Sequence, residues 1–270
     1  MKPFFAGLLF SSLSLAVSAE NVKVAVAANF IAPMKVIAAS FEAATGHSAV
    51  LSFGSSGKLY AQISNGAPFE VFLSADQAKP KKLEQGTLAV SGSRFTYALG
   101  TLALWSANAH LIDSTPSVLK RGGFDKLAIA NPRLAPYGAA ALDVLENLEL
   151  TETVQGKLVQ GENIAQAYQF VSSGNADLGF VALSQVWSRR GISSGSAWLV
   201  PVSLYNPIRQ DAVLLVQGRN NPAASALLQF MKSETASALI EEFGYGTTDD
   251  CSTEPETSRN STGAPGTATC

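Results

Sequence analysis

The sequence predicts an α/β fold in two lobes, with parallel-rich mixed sheets. Three observations predict it: short β-branched apolar runs alternate with helical periodicity, the alternation occurs in two separate series, and two extended stretches join the series. Strands that alternate with helices pair in parallel through right-handed crossovers. Two such units joined by two extended hinge crossings enclose a cleft, and ligands of such sheets sit beyond the carboxyl ends of the strands.

The first series opens with a strand from Val22 to Ala27, apolar on both faces apart from Lys23, as in the interior of a parallel sheet. Phe30, Met34, Ile37 and Phe41 then recur at helical spacing, with Pro33 suited to a first turn and Gly46 marking the exit. A strand at about Ala49–Phe53, a helix from Ser56 to Asn65, a strand at Val71–Ser74 and a helix around Gln77–Gln85 follow. After the extended stretch Phe95–Ala107, the second series runs strand Lys126–Ala130, helix about Ala139–Leu148, helix Ile164–Ser172 and strand Leu178–Ala182. The chain returns through Tyr205–Gly218 and ends in an amphipathic helix carrying Ala226, Leu227, Phe230 and Met231. Residues 20–100 with 206–245 are expected to form one lobe and 101–205 the other.

The two ends read differently. Lys2, the apolar run Phe4–Val17 and the small-residue exit Val17-Ser18-Ala19 have the pattern of a cleavable secretory signal over residues 1–19, and the run is too short to span a bilayer. No cysteine stands near Glu20 to take a lipid anchor, so an exported soluble protein is expected. Residues 246–270 hold no aliphatic side chain larger than alanine and no aromatic, so a disordered tail is expected there, with Cys251 and Cys270 free to pair with each other or with another chain. Of the 19 basic residues, Lys2 and Arg259 lie outside 20–245; of the 21 acidic ones, Asp249, Asp250, Glu254 and Glu256 do, so the globular part is formally neutral. That neutrality leaves no basic surplus for nucleic acid and no cationic helix for a membrane surface.

Four turns into helices share one chemistry: Ala27–Phe30, Phe53–Gly57, Pro136–Gly138 and Gly161–Ile164. Each offers main-chain amides and neutral donors at a helix start, where free N–H groups and partial positive charge favour an anion. A fully deprotonated tetrahedral oxyanion suits such donors, whereas a protonated phosphate would leave its hydrogen unpaired at a cost of roughly 1–3 kcal/mol. Glu162 is the one carboxylate in these turns and is expected to point away or to cap its helix. Either Ser55 or Ser56 also suits an ordinary helix cap.

Enzyme chemistry finds little support. His47 and His110 offer no metal spacing, the Gly54–Gly57 turn lacks the spacing of a nucleophile elbow, and Asp76 stands where a carboxylate caps a helix. A secreted hydrolase would need His47 within reach of Ser55 or Ser56.

The segments "VAVAANFIAPM", "FGSSGKLYAQISNGAPFEVFLSADQ", "LAIANPRLAPYG", "ADLGFVAL" and "FGYG", in this order from about Val22 to Tyr245, resemble the periplasmic molybdate-binding proteins of ABC transporters. The resemblance implies a two-lobed periplasmic binding protein of the type II, Venus-flytrap kind, without enzymatic activity or cofactor. It implies capture of molybdate or tungstate and delivery to a membrane permease, with a monomer as the family expectation. It places the oxyanion against Asn29, Ser56, Tyr137 and the amide of Ile164, with Ala28 adding its amide, the metal being held through the oxyanion oxygens only. Ser55 is then the cap. Many members carry serine where Asn29 stands and tyrosine where Ala182 stands; Tyr137 is expected to replace that lost phenol donor, or else to pack at the hinge face. A general binder of sulfate or another tetrahedral oxyanion is the alternative, and the ligand-sensing half of a transcription regulator shares the architecture but not the leader.

Overall fold

The computed structural model describes residues 19–247. The expected leader, but for Ala19, and Cys251 and Cys270 of the expected tail lie outside the described residues. The first unit comprises β1 (Asn21–Ala27), α1 (Ile31–Thr45), β2 (Ser48–Gly54), α2 (Ser56–Ser64), β3 (Val71–Leu73), α3 (Ala78–Gln85) and β4 (Phe95–Gly100). The second comprises β5 (Leu102–Ser106), α4 (Ser117–Arg121), β6 (Leu127–Ala130), α5 (Pro136–Asn147), α6 (Thr151–Val154), β7 (Leu158–Gly161), α7 (Ile164–Ser172), β8 (Leu178–Ala182), the short hairpin β9 (Trp187–Ser188) and β10 (Gly191–Ile192), and β11 (Ser196–Leu199). The chain then returns as β12 (Ile208–Leu214), α8 (Pro222–Phe230) and α9 (Glu234–Glu242).

Two five-stranded mixed sheets result, ordered β2-β1-β3-β12-β4 and β11-β5-β8-β6-β7. In the first, β1 pairs in parallel with β2 and β3, while β12 runs antiparallel between β3 and β4. In the second, β6 is parallel to β7 and β8, and β5 and β11 are antiparallel additions. Only Thr101 separates β4 of one sheet from β5 of the other, and the residues from Val200 to Pro207 bring the chain back. The hinge is therefore the β4–β5 junction beside the start of β12, where Gly100 pairs with Ile208, and the return segment holds a 3-10 turn at Val202–Leu204.

Apolar side chains fill both faces of each sheet. Phe30, Met34, Ile37 and Phe41 are buried between α1 and β1, at the helical spacing their sequence positions require. Phe72, Leu83, Val213 and Leu215 close the opposite face of the first sheet, and Leu104, Leu127, Val144 and Phe180 lie at the centre of the second core. The sequence expects one closing helix where the structure has α8 and α9, which Ser233 separates by capping the second through Ala236 N–H at 3.3 Å. It also misses β7 and β11, whose sequences LVQG and SAWL are not the unbroken apolar runs that mark β3 and β6. Gly246, assigned from sequence to the tail, donates to Leu99 O at 3.0 Å and accepts from Leu99 N at 2.8 Å.

Candidate functional site

Two of the four helix starts lie in each lobe. A 3-10 turn at Ala28–Phe30 follows the carboxyl end of β1, and α2 follows that of β2. From the other lobe, α5 follows β6 and α7 follows β7. Ala27, Ala28, Asn29, Ser55, Ser56, Ala75, Ala135, Pro136, Tyr137, Asn163 and Ile164 line one small cavity. All five residues expected from sequence to meet the ligand, Ala28, Asn29, Ser56, Tyr137 and Ile164, thus come together in three dimensions. None of the lining side chains is charged. A wider groove beside the hinge carries both signs of charge, including Asp76, Lys79, Arg133 and Arg209, and is met by the starts of two helices, α3 and α5, rather than four.

Local capping decides which amides face the cavity unpaired. A helix leaves its first N–H groups without intrahelical acceptors. Ser55 is the cap of α2 and its Oγ accepts from Lys58 N at 3.4 Å, so the amide of Ser56, the first helical residue, is not taken by the cap. In α7, Asn163 Oδ1 accepts from Ala165 N at 3.0 Å and Gln166 N at 3.1 Å, again passing over the first amide, that of Ile164. The α5 helix begins at Pro136, three residues before its expected start near Ala139, because proline suits the first helical position. Tyr137 therefore stands at the second position, where its N–H has no partner within the helix. Ser56 Oγ accepts from Ala75 N at 2.9 Å, which leaves the hydroxyl hydrogen available to an anion.

One expectation is met and one needs correction. Glu162 points away, the first of its two expected roles: Oε1 receives Lys58 Nζ at 2.8 Å across the mouth of the cleft, and Asn163 is the cap. The Tyr137 side chain does not supply a replacement phenol to the ligand side. Its hydroxyl accepts from Gln210 Nε2 at 3.3 Å, in a space that a Cβ on Gly100 would fill at 2.3 Å from the phenol oxygen. The reading of Tyr137 as a hinge-face side chain therefore describes its ring, while its main-chain amide remains at the helix start.

Sequence reasoning missed the polar cluster behind the cavity. Asn29 Nδ2 donates to Gln210 Oε1 at 2.7 Å and to the Tyr245 hydroxyl at 3.0 Å, and Ser184 Oγ and the Tyr245 hydroxyl both donate to Asn29 O, at 2.9 and 2.8 Å. Burial raises the Tyr97 and Tyr137 phenols well above the usual range and pushes Tyr245 up to about 12, so all three stay neutral donors at physiological pH. In the sequence Gln210 stands between Arg209 and Asp211, in a strand whose first half reads as polar, so nothing there signals this cluster.

The hydrolase alternative fails on geometry. His47 is buried at the start of β2, where its Nδ1 accepts from Glu20 N at 3.1 Å, whereas Ser55 and Ser56 follow the far end of that seven-residue strand. An extended strand of that length places them about 23 Å apart. His110 is exposed in the other lobe.

Two α/β lobes on paired hinge strands, closing over a charge-free cage of helix starts, define a solute-binding protein. The profile of the bacterial extracellular solute-binding proteins matches residues 22–246, and the chain belongs to that family. Among its relatives are molybdate-binding proteins ModA. That of Azotobacter vinelandii is 56% identical over 234 residues, covering 87% of this chain and 93% of the relative, and that of Rhodobacter capsulatus is 50% identical over 239 residues, covering 88% and 93%. The solved structure of an Azotobacter vinelandii periplasmic molybdate-binding protein superposes with a TM-score of 0.81 at 43% identity, covering 83% of this chain and 98% of that one. The sulfate-binding protein SubI of Mycobacterium tuberculosis, at 16% identity and a TM-score of 0.67, over 86% of this chain and 88% of that one, shares the fold.

Proposed function

We propose that this protein captures molybdate, or its close analogue tungstate, in the cleft between its lobes and hands it to the membrane permease of an ABC transporter. It is a periplasmic binding protein, not an enzyme, and it works without a cofactor. The observation that carries the reading is the convergence of four helix starts from two lobes on one cavity with no charged lining. Each start presents partial positive charge and unpaired amides, so a dianion is held by dipoles and hydrogen bonds and no arginine is needed.

In this reading, Ala28, Asn29, Tyr137 and Ile164 donate main-chain amides, and Ser56 donates both its amide and its hydroxyl. The metal is reached through the oxyanion oxygens only. One lobe comprises 20–100 with 206–245 and the other 101–205, residues 1–19 direct export, and the monomer is the working unit, with no role for nucleic acid.

The direct test is retention. Mature protein incubated with an equimolar mixture of sodium molybdate and sodium sulfate, then desalted, is expected to carry one molybdenum per chain by elemental analysis. Recovery of metal-free protein would reject the assignment.

A further inference from the structure

The buried cluster behind the cavity has a property that the oxyanion reading does not use. Gln210 on β12 is fully buried; its Oε1 accepts from Asn29 Nδ2 at 2.7 Å and from the Tyr97 hydroxyl at 3.0 Å, and its Nε2 donates to the Tyr137 hydroxyl at 3.3 Å. Asn29 Nδ2 also donates to the Tyr245 hydroxyl at 3.0 Å. A side-chain amide nitrogen carries two hydrogens. Both hydrogens of Asn29 are thus directed into the cluster, and none is left for an anion in the cavity that Asn29 lines.

An amide turned over keeps its shape and exchanges donor for acceptor. Turning Asn29 alone would oppose Asn29 Oδ1 to Gln210 Oε1, two buried acceptors with no hydrogen between them, at the penalty of an unmade buried bond. Turning both amides keeps a partner for every donor of the cluster, at the loss of one bond, that from the Tyr245 hydroxyl to Asn29 O. Gln210 Nε2 then donates to Asn29 Oδ1 and to the Tyr97 hydroxyl, and Tyr97 donates to Ser74 O, which it already approaches at 3.2 Å. Tyr137 donates to Gln210 Oε1, Tyr245 donates to Asn29 Oδ1, and Ser184 keeps Asn29 O at 2.9 Å. The cluster has two hydrogen-bond arrangements, and only the second frees Asn29 Nδ2.

We propose that Gln210 is a positioning residue that sets the polarity of the cage: capture of a fully deprotonated oxyanion turns the Asn29 and Gln210 amides over together. The proposal rests on the oxyanion reading of the cavity. Asn29 and Tyr137 belong to facing lobes, and Gln210 on the hinge strand touches both, so the paired amides link the two lobes in either arrangement.

The test is side-chain amide NMR of the ¹⁵N-labelled mature chain titrated with sodium molybdate, the two signals being assigned from Asn29→Ser and Gln210→Glu variants. Both NH₂ signals are expected to move with one titration curve. A Gln210 signal unmoved at saturation, while backbone signals report binding, would overturn the proposal and leave the oxyanion reading standing; no response anywhere would overturn both. The variants supply a second reading. Gln210→Glu can only accept, holds the Asn29 nitrogen inward and is expected to weaken molybdate binding about 100-fold, against about 10-fold for Gln210→Met. A Gln210→Glu protein that binds as well as wild type would contradict the proposal.

Discussion

Two adjacent serines show how finely the site is divided at the scale of single residues. Ser55 closes a helix, and Ser56, one residue on, is fixed by Ala75 N–H so that its hydroxyl hydrogen is available. In the proposed site Ser56→Ala removes one hydrogen bond to a charged ligand, worth roughly 1.5–3 kcal/mol, and so weakens molybdate binding by about 10- to 150-fold. Ser55→Ala is expected to cost about 0.5–2 kcal/mol of stability while moving the affinity less than threefold. Calorimetric titration of the two variants beside thermal melts separates these roles; equal losses of affinity would contradict the division. The sequence alone left open which serine caps. Resemblance favoured Ser55, and the geometry agrees.

At the scale of elements, helix starts hold the anion in the proposed site, and caps select which amides are offered. The strands β1 and β8 and the helices α2 and α7 were legible because their apolar runs are long enough to show a period or are bounded by Gly, Ser and Asn signals. The start of α5 lies three residues before the one the sequence predicts, because Pro136 reads as part of a loop there although proline is well suited to a first helical position. The cluster around Gln210 was not legible, since its members, Asn29, Tyr97, Tyr137, Ser184, Gln210 and Tyr245, are scattered along the chain and only the hinge brings them together. Packing sets a further requirement on α5. A Cβ on Gly138 would lie 2.2 Å from Ala130 O, backbone that cannot swing aside. Gly138→Ala should therefore displace the helix start that carries Tyr137, lowering stability by about 1–3 kcal/mol, as overpacking does. Chemical denaturation checks this, and an unchanged midpoint would mean that α5 is not fixed by its contact with β6.

For the whole molecule, the proposed function makes binding a closure of the lobes. Gly57 N donates to Leu134 O at 2.8 Å across the cleft, and Lys58 meets Glu162 at its mouth, so the faces that hold the anion also touch each other. That ion pair is half exposed on both sides and is worth about 1 kcal/mol at most, which makes it a trimming contact, not a lock. The larger contribution comes from replacing water around a dianion with fixed donors from both lobes. A globular part that is formally neutral over residues 20–245 can do this because the charge is supplied by oriented peptide groups. Selectivity then follows from donor-only chemistry and from cage size, since donors set for a larger tetrahedral anion stand too far from a smaller one. The central claim is tested most directly by calorimetric titration of the mature protein with molybdate, tungstate and sulfate in turn. Tight one-to-one binding of molybdate and tungstate with little response to sulfate is the predicted result; sulfate binding as strong as molybdate binding, or no binding of molybdate, would contradict it.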